Sequence, residues 1–116
     1  MTSLPELAHV DTRLGLSRAG DWLPLYLRFL ARFPEDDSLT GLMSALGEGD
    51  MQTAFSCAHA LKGLSAQLGI LAVSEAASVV CELVRPLDPA ALPAACEAAR
   101  TLCALHGQVC RELSAL

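Results

Sequence analysis

Three residues in the middle of the chain combine a nucleophile, a cation and a missing side chain. His59 is followed by Lys62 at i+3 and Gly63 at i+4, the spacings that bring side chains together on a helix. Imidazole has an ordinary pKa of about 6.5, so near neutral pH a ring nitrogen offers a lone pair for in-line attack. Lys62 is the only lysine; the other seven basic residues are arginines. A compact, mobile ammonium suits an anionic group that must arrive and leave. Glycine inside a helix costs about 1 kcal/mol relative to alanine, so Gly63 needs a reason, and steric clearance beside an imidazole is one.

The element that carries them is a segment from about Met51 to Leu68, capped by Asp50 and closed by Gly69. With His59 at zero and steps of about 100°, Ala54, Cys57, Leu61, Leu64, Ser65 and Leu68 form the expected core face. Gln52, Phe55, Ser56, Lys62, Gly63 and Ala66 fall on the opposite, solvent side with His59. Phe55 is out of place on a solvated surface, so this face reads as a partner-docking patch formed by Gln52, Phe55, Ser56, Ala66 and Gln67.

The rest of the chain is punctuated as helices. Leucine and alanine supply 41 of 116 positions, valine and isoleucine only 7, a ratio that argues against a sheet. Ser3-Leu4-Pro5-Glu6 has capping-box spacing and predicts a short first helix, on which His9 would be exposed. Gly20-Asp21 reads as a helix end and a new N-cap. Trp22, Leu23, Tyr26, Leu27, Leu30 and Phe33 form the stripe of the next segment, which Pro34 stops. A third segment follows Glu35-Asp36-Asp37-Ser38, with Leu39, Leu42, Met43 and Leu46 as its apolar stripe. A fifth runs from about Leu71 to Arg85. The last runs to about Leu113, beginning either near Pro93 or after a separate turn at Pro89–Leu92. The reading is all-α: an antiparallel up-down four-helix bundle with one or two short extra N-terminal helices, as a single domain over residues 1–116.

Composition narrows the function classes. A net charge of −5 with no basic run disfavours nucleic acid. No apolar stretch reaches the length of a membrane span. Residues 1–12 lack a signal-peptide pattern, so a cytoplasmic location with reduced cysteines is expected.

The string His59-Ala60-Leu61-Lys62-Gly63-Leu64-Ser65-Ala66-Gln67-Leu68-Gly69 resembles the signature of histidine-containing phosphotransfer (HPt) domains. The similarity extends over about residues 10–113, including Gly20-Asp21 with Tyr26, Leu30 and Phe33, and the Gly49-Asp50 turn. Leu64 stands where the family usually has a small residue, and the Pro34–Ser38 junction is about two residues short. The resemblance implies a phosphorelay carrier, not a kinase. His59 would accept a phosphoryl group on Nε2 from a receiver-domain aspartate and pass it on, with Lys62 stabilising the phosphate and Gly63 giving clearance. It implies a response-regulator receiver domain and a hybrid sensor histidine kinase as partners, and a monomer. It implies no cofactor or metal of its own, the divalent ion belonging to the receiver. Nδ1 would carry the proton, with Gln52 and Ser56 as the nearby candidates to bind it.

Two other readings compete. The bundle could be a non-phosphorylated adaptor for a signalling protein. Alternatively, Cys103, His106 and Cys110 share one face of the last segment and could form a metal or redox site. That face also contains Leu92, Ala99, Leu102, Val109 and Leu113, so it reads more simply as a buried stripe.

Overall fold

The computed structural model describes residues 3–116, and among these all regular structure is helical apart from one isolated bridge between Leu7 and Val10. The α-helices are α1 (Thr12–Arg18), α2 (Leu23–Arg32), α3 (Ser38–Glu48), α4 (Met51–Gln67), α5 (Leu71–Val84) and α6 (Leu92–Ser114). Single 3₁₀ turns at Phe33–Glu35 and Pro89–Ala91 precede α3 and α6.

The boundaries have local causes. The Asp11 carboxylate accepts from the Leu14 N–H at 3.0 Å and starts α1; Asp50 accepts from the Thr53 N–H at 3.1 Å and starts α4. Hydrogen bonding from Thr53, by its side chain first and its backbone N–H second, holds the Asp50 carboxyl below its ordinary range. Gly49 (φ 71°) and Gly69 (φ 80°) take the left-handed conformation that closes α3 and α4. At the last helix both expectations are partly met: Pro89–Ala91 is a separate turn, and Pro93 then sits in the first turn of α6, where a missing N–H costs nothing.

Packing runs in sequence order. α4 lies between α3 and α5, α5 also packs on α6, and a lighter α3–α6 contact closes the group. The core between them is aliphatic, including Leu42, Leu46, Leu61, Val73, Val80, Leu102 and Val109, with Tyr26, Leu30 and Phe33 covering one end.

The N-terminal region departs from the sequence reading. Ser3–Glu6 is not helical; it has no regular structure and leads into the turn closed by the Leu7–Val10 bridge. The Asp11 N–H donates to the Gly69 carbonyl at 2.7 Å, and Glu112 takes the Ala8 N–H on Oε1 (2.8 Å) and His9 Nδ1 on Oε2 (3.2 Å). His9 is therefore half-buried and paired, not a free side chain on a helix. Tethers to α4 and α6 replace the local hydrogen bonds that the capping box would have supplied. Asp21 is not an N-cap either. Gly20 and Asp21 both have positive φ, and Trp22 precedes the first residue of α2. Trp22 is 61% exposed and so lies outside the stripe it was expected to join. In α3, Ala45 rather than Met43 completes the buried face with Leu42 and Leu46.

In α4 the buried residues are Met51, Ala54, Ala58, Leu61 and Ser65. Cys57 and Leu64 are only partly buried. The core arc is thus turned by about 60° from the point opposite His59, toward the flank that carries Phe55 and Lys62. α5 lies on that flank, where the Ser74 hydroxyl donates to the Lys62 carbonyl at 3.0 Å.

Candidate functional site

His59 sits at the middle of α4 and is exposed. Helical side chains lean toward the N-terminal turn, and the imidazole leans onto Phe55. The two rings stack with centroids 5.7 Å apart and an interplanar angle of 13°. The guanidinium carbon of Arg85, at the end of α5, lies 5.5 Å from the centroid of Phe55, and Arg85 Nη2 donates to Glu82 Oε1 at 2.9 Å. Phe55 is accordingly half-buried and packed on the core, which corrects its expected place on an open face.

One turn toward the C-terminus the surface is clear. A Cβ built at Gly63 meets nothing within 4 Å. Among the described residues no packing demand accounts for glycine there. Lys62 is half-buried, with its backbone fastened to α5 through Ser74. The α5 flank thus supplies a cation near Phe55 and an anchor for the lysine, and neither was visible in the motif. Arg85 lies 26 residues from His59 in sequence and reads there as no more than a helix end.

The remaining residues of the expected patch divide. Gln52 and Ser56 are exposed on the side of His59, but the Ser56 hydroxyl donates to the Gln52 carbonyl at 3.3 Å. Among the described residues neither bonds to the imidazole. Ala66 and Gln67 are engaged with α1: the Gln67 side-chain amide donates to the Arg18 carbonyl at 3.0 Å, and the Arg18 guanidinium donates to the Ala66 carbonyl. Leu64 packs against the edge of the core and is only partly buried. It lines an apolar groove of about 490 Å³ with Phe29, Phe33 and Leu68, rimmed by Arg32 and Asp36.

The cysteines and histidine of α6 do not form a ligand cluster. His106 Nδ1 and Cys110 Sγ approach to 3.5 Å, and the His106 ring packs on Phe33 with centroids 5.1 Å apart. Among the described residues no group of three or more His, Cys, Asp or Glu side chains is placed to hold a metal ion. Burial pushes the Cys103 and Cys110 thiols up and pulls His106 down, Asp36 opposing the latter. All five cysteines are free. No helix among the described residues is long and apolar enough to cross a membrane.

A family model described as Hpt domain matches residues 25–116, which include all of α3–α6 and the His59–Lys62–Gly63 group. No curated protein and no solved structure matches the chain.

Proposed function

Because the chain belongs to the Hpt domain family, whose members are phosphocarriers without kinase activity of their own, we propose that it relays phosphoryl groups between receiver-domain aspartates through His59. The observation that carries this reading is an exposed imidazole in mid-helix with open space at Gly63 one turn away.

In the forward step the Nε2 lone pair of His59 attacks phosphorus of the receiver's aspartyl phosphate. The N–P bond forms as the P–O bond to the aspartate breaks, and the carboxylate leaves with the electron pair. Nδ1 keeps its proton. Delivery to a second receiver reverses these changes. Such a transfer depends mainly on positioning and on neutralising phosphoryl charge. Lys62 is the cation for that task, and Gly63 leaves room for the receiver loop to approach. The divalent metal belongs to the receiver.

α3–α6 serve as an antiparallel up-down bundle that holds the imidazole at a rigid surface. Gln52 and Ser56, exposed beside His59, belong to the docking region for a response-regulator receiver and for the receiver of a hybrid sensor kinase, while Phe55 backs the imidazole from the core side and Ala66 and Gln67 lie against α1. The chain acts as a monomer in the cytoplasm.

The test is incubation with a phosphorylated receiver domain. Wild-type protein should gain an acid-labile, base-stable label, and His59→Gln should gain none while keeping its helical circular dichroism. Labelling of His59→Gln would sink the assignment.

A further inference from the structure

We propose that Phe55 is a positioning residue for His59: its ring sets the plane of the imidazole, and Arg85 holds that ring in place. The inference rests on the reading of His59 as the phosphoacceptor.

Among the described residues no side chain hydrogen-bonds to the His59 ring, so the usual device for orienting a reactive histidine is missing. The nearly parallel contact with Phe55 takes its place. Aromatic rings at this separation attract beyond simple burial, which favours one ring plane among nearby rotamers. The lone pair of the unprotonated nitrogen lies in the plane of the imidazole, so a neighbour on the ring face leaves that nitrogen free to react.

Phe55 can orient another ring only if its own ring is fixed. It is, on two sides. Its inner edge packs on the core. The Arg85 guanidinium lies over its face, inside the roughly 6 Å range of cation–π attraction, and Glu82 holds Arg85 from the same helix. The support runs from α5 through Arg85 and Phe55 to His59. On the other flank Gly63 leaves the imidazole open. The ring is backed on one side and accessible on the other, as an acceptor needs if its partner is to find it already aligned.

The experiment uses the full chain with Phe55→Leu, which keeps apolar volume, and Phe55→Tyr, which keeps the ring. In the wild type, NMR should show the carbon-bound ring protons of His59 shifted upfield by the Phe55 ring current. The shift should vanish in F55L and persist in F55Y. Transfer is then measured from a receiver domain selected by phosphotransfer profiling and charged with acetyl phosphate. At saturating receiver, F55L should transfer about tenfold more slowly, since small misplacement of reacting atoms is costly, and F55Y should recover to within about twofold. The half-saturating receiver concentration should be the same in all three. A normal saturating rate in F55L, an unchanged His59 shift, or a defect carried wholly by the half-saturating concentration would overturn the positioning role. A wild-type chain that takes no label would overturn the phosphocarrier reading, and the positioning role with it, yet leave the ring-current shift intact, so the two failures are distinguishable.

Discussion

The Tyr26 hydroxyl donates to the Leu68 carbonyl at 2.7 Å, joining α2 to the end of the helix that carries His59. Both groups are out of water, and burial, reinforced by Asp11, pushes the phenol up to about 12. The phenol therefore stays protonated, and a donor, well above neutral pH. The bond meets α4 where its last carbonyls lack helical partners, so it fixes the far end of the helix on which His59 is mounted.

Tyr26→Phe should destabilise the protein by about 1–3 kcal/mol, because the Leu68 carbonyl stays buried without its donor. Urea unfolding followed by circular dichroism measures this. A variant with an unchanged midpoint would mean that water or another donor replaces the phenol.

Two glycines should respond in opposite ways to the same change. At Gly63 an added methyl meets nothing, so Gly63→Ala should stabilise α4 by about 1 kcal/mol. Gly63 replaced by leucine should fold and yet block labelling by a receiver. At Gly15 the methyl would be driven into the Leu68 carbonyl and the Tyr26 hydroxyl, so Gly15→Ala should lower the thermal midpoint sharply. A destabilised Gly63→Ala would contradict the clearance argument.

Lys62→Ala should slow phosphotransfer while leaving the fold intact, since the hydrogen bond to Ser74 uses the lysine backbone. Lys62→Arg separates charge from shape. A planar guanidinium on a half-buried stem should transfer more slowly than the ammonium, and rapid-quench kinetics at saturating receiver gives the ratio. Equal rates would show that charge alone matters.

His106 should make stability depend on pH. Burial against Phe33 lowers its pKa in the folded state, with Asp36 opposing and the Cys110 thiol, itself pushed up, beside Nδ1. Its Nε2 is buried without a partner. Below about pH 6.5 the unfolded chain binds a proton that the folded chain resists, so stability falls as pH drops through that value. Comparing denaturation midpoints from pH 7.5 to 5 for wild type and His106→Gln should show an acid-side loss in the wild type that the variant lacks. Parallel curves would remove His106 as the cause.

Helix periodicity and punctuation made much of this molecule readable. α4 begins after Asp50 and stops before Gly69, because both signals act within one turn of the residues they affect. Its exposed histidine and open glycine follow from the 3.6-residue repeat alone. The direction of the buried arc does not. A repeat says that one side is apolar but not which neighbour covers the edge of that side, so Phe55 and Lys62 read as solvated until α5 is in place. Small residues blur the edge further: Ala58 is buried and Ala60 exposed on the same helix, and their side chains are identical.

The N-terminal arm shows the same division more sharply. Ser3–Glu6 has the local signature of a helix start, and a few residues of propensity cannot outweigh tethers made elsewhere. Those tethers join His9 to Glu112 and Asp11 to Gly69, partners 103 and 58 positions apart.

The amino-acid sequence by itself determined the helical class, the family signature and the identity of the acceptor candidate, because each depends on residue types within a turn or two. Only the tertiary structure decided that Arg85 lies over Phe55, that Phe55 backs His59, and that α1 occupies Ala66 and Gln67. Those relations depend on how α5 and the N-terminal region are rotated against α4, and that rotation is set by the packing of the whole core at once.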